Sequence, residues 1–183
     1  MNRFSLVMFV LAGCLVTALH GQTPAPKPDP EFKKLQVLVG HWTYDGEYKP
    51  GPLGAGAKIK GEWTYQFILK GFVLEGHATE KADGGETHYL EIDEYDPGSK
   101  KISMSMCGDD GSRYSGVIIS SGNTLTWEGR FAVGGKEYKF REPFVMSADL
   151  MSGTARGEIS IDGKTWVPFF EGKFTKIKPV AKR

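Results

Sequence analysis

Most of this chain is a succession of segments in which polar and apolar residues alternate, spaced roughly ten residues apart and divided by turns rich in glycine and aspartate. Alternation places every second side chain on one buried face, so the segments are strands with a single apolar side. They run over about 41–48, 58–69, 72–80, 87–95, 101–107, 112–120, 124–131, 136–145, 152–161 and 165–176. Ala82-Asp83-Gly84-Gly85, Asp96-Pro97-Gly98, Asp109-Asp110-Gly111, Ser121-Gly122-Asn123, Gly134-Gly135 and Asp162-Gly163 supply the positive φ that hairpins need. Consecutive hairpins make an antiparallel meander, and rolling it shut removes its exposed edges. The predicted fold is all-β: an antiparallel up-and-down barrel of about ten strands. A two-sheet sandwich has the same periodicity and is the architectural alternative.

The ends carry different information. Residues 1–21 read as an export signal: Arg3 is followed by an apolar run from Phe4 to about Ala18. That run, about 16 residues, falls short of the roughly 20 that a helix needs to cross hydrocarbon. Leu11-Ala12-Gly13-Cys14 resembles a bacterial lipobox, which makes a lipid anchor through Cys14 the alternative to simple cleavage between Ala18 and Gln22. Both routes export the protein, to the periplasm or beyond, with no transmembrane span in the mature chain. Residues 22–30 form a proline-rich linker, residues 31–178 the folded domain and residues 179–183 a basic tail.

Charge narrows the partners. Twenty-three lysines and arginines stand against twenty-two aspartates and glutamates, and loss of Arg3 with the signal balances them. No nucleic-acid or anionic-membrane partner is implied. Cys107 is the one cysteine beyond the signal, so a disulfide scaffold is excluded.

Pro30 to Leu38, with Phe32, Leu35 and Leu38 apolar, predicts a short N-terminal helix that stops at Gly40. Parity then sorts the strands. Trp42, Tyr44 and Tyr48 share the inward face, as do Trp63, Tyr65 and Phe67; Ile102, Met104 and Met106; Leu125, Trp127 and Phe131; Tyr138 and Phe140; and Trp166 and Phe170. By the same rule Leu90 and Ile92 point inward and carry His88 with them, which puts Glu91 and Asp93 on a solvated face. Lys58, Lys60, Glu62, Thr64, Thr126, Glu128 and Arg130 meet water. His41 and His77 fall on the outer face. A barrel of this size is either filled by its own side chains or holds one small ligand.

Gly40-His41-Trp42 after a short closing helix resembles the Gly-x-Trp opening of lipocalins and other calycins, in which the tryptophan packs across the closed end. With Leu69-Lys70-Gly71-Phe72-Val73-Leu74-Glu75-Gly76 and Glu94-Tyr95-Asp96-Pro97-Gly98-Ser99-Lys100, the chain is similar to a bacterial family of secreted calycin-like barrels filed as a domain of unknown function. The resemblance implies fold and export, and no activity. Nitrobindin-type haem barrels are more distant relatives that hold iron through a histidine near the C-terminus. No histidine follows His88 here, and the Tyr-Pro pair they carry is interrupted at Tyr48-Lys49-Pro50, so neither haem nor another cofactor is expected.

The candidate ligand-binding residues are Tyr44, Trp63, Tyr65, His88, Met104, Met106, Tyr114, Trp127, Tyr138 and Glu142: an aromatic wall with a few polar handles. Glu142 shares inward parity with Tyr138 and Phe140, although Pro143 beside it could instead end or bulge the strand and turn the carboxylate to solvent. Three histidines with no carboxylate at ligand spacing predict no metal site. There is no nucleophile elbow, phosphate loop, dinucleotide fingerprint or zinc-protease helix, and no catalytic residue is assigned. The first reading is therefore an exported barrel that binds a small apolar molecule in a cavity of a few hundred cubic ångströms. The alternatives are a structural or envelope-interaction domain with a filled aromatic core and, third, an enzyme at the barrel mouth, which requires His88 beside a second titratable group.

Overall fold

The computed structural model describes residues 26–178; the signal segment, Cys14 and the basic tail lie outside the described residues. The strands are β1 (Gly40–Tyr48), β2 (Ala57–Ile68), β3 (Val73–Ala82), β4 (Gly85–Asp96), β5 (Lys101–Gly108), β6 (Arg113–Ser121), β7 (Thr124–Val133), β8 (Lys136–Met146), β9 (Ser152–Ser160) and β10 (Val167–Ile177). Each pairs antiparallel with its neighbours in sequence, and β10 pairs back onto β1 from His41↔Ile177 to Tyr48↔Phe170. The result is a closed barrel with no free edge, not a sandwich.

The N-terminal segment is a 3₁₀ helix, Phe32–Val37, rather than an α-helix. Its apolar residues Phe32, Leu35 and Leu38 recur every third position, which suits three residues per turn, and all are buried. They plug one end. The Trp42 indole N–H donates to the Leu38 carbonyl at 2.7 Å, so the first inward residue of β1 fastens the plug to the wall. Trp42 meets Phe144 edge to face, with ring centroids 6.0 Å apart. Phe32 does the same with Phe67 at 5.5 Å.

The inner face is crowded with rings, and glycine makes room for them. A Cβ at Gly76 would lie 2.5 Å from Cε1 of Tyr65, so the Tyr65 ring lies across β3 only because that position has no side chain. Gly61 does the same for Tyr44.

Two expectations about parity fail. In β4 it is Tyr89, Glu91, Asp93 and Tyr95 that point in, while His88, Leu90 and Glu94 are exposed. Facing residues of an antiparallel pair share a side of the sheet. Asp93 faces Leu74 and Glu91 faces Gly76 on β3; the same two face Met104 and Met106 on β5. With inward residues on both neighbours, β4 has no choice. In β10 the register shifts between Pro168 and Phe170, so the adjacent Phe169 and Phe170 are both buried. Trp166 precedes the strand and sits outside, with the exposed Arg141 guanidinium 4.4 Å above its ring.

Candidate functional site

Below the mouth the barrel is not completely filled. An inner chamber of about 100 Å³ lies above the 3₁₀ plug, walled by Trp42, Trp63, Trp127, Phe140, Phe144 and Phe174, with Met104 and Met106 on β5. A second void of about 80 Å³ shares Trp63, Met106, Tyr114, Glu142 and Phe174 with it. This throat in turn shares Tyr48, Glu80, Tyr89, Tyr114 and Phe169 with a mouth cavity of about 460 Å³. Tyr114 lines all three spaces, so mouth, throat and chamber succeed one another along a single path. Along this path the few hundred cubic ångströms expected from the sequence are reached at the mouth, and the inner spaces are smaller.

Carboxyl groups are the main polar feature of this interior. Glu91 is 3% exposed, accepting the Tyr65 hydroxyl at 2.9 Å and the Trp127 indole N–H at 2.8 Å. Asp93, one step deeper on the same face, is 0% exposed, and its two oxygens meet no donor among the described residues. Burial away from water raises both groups above the usual carboxyl range, and the negative potential of Glu91 raises Asp93 further. Both effects push Asp93 toward its neutral form.

Glu142 is the third carboxyl. It remains in strand through Pro143, pairing Trp127↔Glu142 and Thr126↔Pro143 with β7, so the proline neither ends β8 nor bulges it. The side chain lines chamber and throat, and the surface it retains faces those voids. Desolvation first, then repulsion from Glu91 and Glu80, pushes Glu142 up to about 8. Its carboxyl has no hydrogen-bonding partner among the described residues. Nearer the mouth, Glu80 is buried at 9% exposure and accepts two phenols, Tyr44 at 2.7 Å and Tyr48 at 2.9 Å. Burial still holds Glu80 above its ordinary value despite those two donors. The same desolvation and carboxylate neighbours hold Tyr44, Tyr48, Tyr65 and Tyr114 protonated well past their usual range.

Among the sequence candidates, Trp63, Tyr65, Met104, Met106, Tyr114, Trp127 and Glu142 converge on the inner chamber. Tyr44 lines the throat. Tyr138 points inward, stacked on Phe131 with ring centroids 6.1 Å apart, but it lines neither the chamber nor the throat. His88 is misplaced by the β4 parity: it stands outside, its Nδ1 at 2.9 Å from Asp109 and its Nε2 at 3.1 Å from Glu86. Both ring nitrogens are thus engaged on the solvent side, away from the chamber and throat.

Sequence reasoning missed Glu80, Tyr89 and Glu91 as inward residues. The signal was present in the β3–β4 hairpin, where Ala82↔Gly85 brackets the two-residue turn Asp83-Gly84. Counting outward from that pair sets Glu80 opposite Thr87, Ala78 opposite Tyr89 and Gly76 opposite Glu91.

Several solved structures have the same barrel. Rv2717c from M. tuberculosis superposes with a TM-score of 0.61 at 13% identity, over 83% of this chain and 100% of its own. The S-type phycobiliprotein lyase CPES from Guillardia theta gives a TM-score of 0.51 at 9% identity, over 81% of this chain and 93% of its own. At such identities the likeness is one of fold alone. No curated protein matches the sequence significantly. The profile described as "Protein of unknown function (DUF1579)" matches residues 27–176, from the linker to the last strand, and the chain belongs to that family.

Proposed function

We propose that this chain is an exported binding protein that carries a small, largely apolar molecule inside its barrel. The observation that supports this best is the succession of mouth, throat and chamber, which gives an enclosed aromatic space a route to solvent. A core built only for stability gains by closing such space, since each unfilled methyl-sized void costs about 1 kcal/mol. The polar handles are few and fixed: Tyr65 and Trp127 are committed to Glu91, while Glu142 and Tyr114 face the void. That is the composition of a pocket that grips an apolar body and reads one polar group on it. Export rests on the leader alone, and cleavage there leaves residues 22–30 ahead of the folded domain.

Native mass spectrometry of protein purified from its own host tests the reading. A retained small molecule, released on unfolding and absent when the chamber is filled by Ala155→Leu, is the expected result. Ligand-free protein from every growth condition, together with no uptake of small aromatic probes in solution, sinks it.

A further inference from the structure

The chamber is apolar, yet its ionisable groups all have one sign. Glu91 and Glu142 line it, Glu142 and Glu80 line the throat, and no lysine, arginine or histidine lines either space. The mouth continues the pattern with Glu80, Glu86 and Asp110 against Lys49. Lys49 is itself paired with Glu47 and with Glu171, so its charge is already answered. A molecule moving inward therefore meets acidic groups along the whole path and no unpaired base.

Within that path the carboxyls are not equivalent. Glu91 accepts from Tyr65 and Trp127, and Glu80 accepts from Tyr44 and Tyr48, so each has two fixed donors. Glu142 has none among the described residues and is turned into the void. An unpartnered carboxyl in a largely aromatic enclosure is costly unless something brings it a positive group. The rings around it, Trp63 on β2 and Trp127 on β7 among them, carry negative π faces that attract a cation beyond what apolar contact gives a neutral alkyl group.

We propose that the molecule held in this chamber is a small organic cation, an ammonium or similar group seated against Glu142 and the surrounding indole and phenol rings. This rests on the binding function proposed above and names its ligand class. The carboxyl is largely protonated in the empty chamber at neutral pH, because desolvation lifts Glu142 to about 8. Binding a permanent cation then displaces the Glu142 proton to solvent and leaves an ion pair. The titratable groups that face Glu142 are Glu91 on β4 and Glu80 on β3, with the phenols of Tyr44, Tyr65 and Tyr114 on β1, β2 and β6. All of them are acids, so none competes with the ligand as a source of positive charge.

Calorimetric titration with two probes of one shape, phenyltrimethylammonium and tert-butylbenzene, tests the proposal. The cation should bind at least about tenfold more tightly than its neutral isostere at pH 8.5. Its affinity should rise by about tenfold or more from pH 6 to pH 9, with a proton released on binding, while that of tert-butylbenzene does not rise. Glu142→Gln should bring the two affinities together. Equal or tighter binding of tert-butylbenzene by the wild-type protein overturns the cation and leaves the binding function standing. Failure of both probes to bind overturns the two together. The pH series on the wild-type chain decides the matter even where the Glu142→Gln variant does not fold.

Discussion

Glu91 and Asp93 stand two residues apart on β4, and both side chains are sealed inside the barrel, with Asp93 flanked by Leu74 on one neighbouring strand and Met104 on the other. Two acids on one face with no basic partner cannot both be ionised cheaply in that environment. Burial thus favours the protonated form of both groups.

This has a direct effect on stability. Glu142, Glu91 and Asp93 have folded values above their unfolded ones, so their contribution is fully present below the unfolded value and is lost as pH rises through the folded value. For Glu142 the window runs from 4.5 to about 8. Urea unfolding at pH 5, 7 and 8.5 should show stability falling with pH, at up to about 1.4 kcal/mol per pH unit for each titrating group. Exposed carboxylates such as Asp96, Asp109 and Asp162, held below their ordinary values by backbone and side-chain donors, set the acid limit. Stability unchanged between pH 5 and pH 8.5 contradicts the burial of these groups.

Tyr65→Phe removes one of the two donors to Glu91 and leaves the ring in place over Gly76. The variant should lose about 1–3 kcal/mol of stability, the usual effect of stranding a buried acceptor. The loss should be larger at pH 8.5 than at pH 5, where the raised Glu91 carries less negative charge and needs the donor less. Denaturant midpoints at the two pH values measure the difference.

Ala155 is 1% exposed and lines the chamber, with Phe144 facing it on β8. Ala155→Leu should fill the void and abolish uptake of either aromatic probe, at a cost of no more than about 1–3 kcal/mol from crowding. Calorimetry reads the first effect, and far-ultraviolet circular dichroism confirms that the barrel remains. Retained probe binding in a folded variant places the binding site elsewhere, in the mouth.

His88→Ala tests the outer site. The histidine bridges Asp109 and Glu86 on the solvent side, where ion pairs contribute little. The unfolding midpoint should move within measurement scatter, and probe binding should be unaffected. A loss of binding in this variant gives the rim a role that its geometry does not suggest.

The reading of β4 illustrates how far hydrophobic alternation reaches. Leu90 and Ile92 are the apolar members of their strand, and a rule that sends apolar residues inward turns Glu91 and Asp93 to water. Where neighbouring strands have many rings and methionines to bury, the hairpin register overrides the preference of a single strand. Leu90 is then left 38% exposed, and the acids go inside. Trp166 was misplaced for a related reason: the register shift between Pro168 and Phe170 changes parity, and nothing in the alternation around Pro168 announces it. Glu142, by contrast, was legible because Tyr138 and Phe140 precede it on an uninterrupted strand.

By itself the sequence determined the number and bounds of the strands, because period-two alternation and glycine-aspartate turns are local properties that each segment carries alone. It also determined the aromatic inner wall and the closing role of Trp42, since those strands agree with their neighbours about which face is buried. Only the tertiary structure decided that β10 returns to β1 and that the interior keeps a chamber. It alone set Glu80, Glu91 and Asp93 inside with no base beside them. Those outcomes depend on register between strands and on how rings from opposite walls meet, which are relations between distant residues that no single segment encodes.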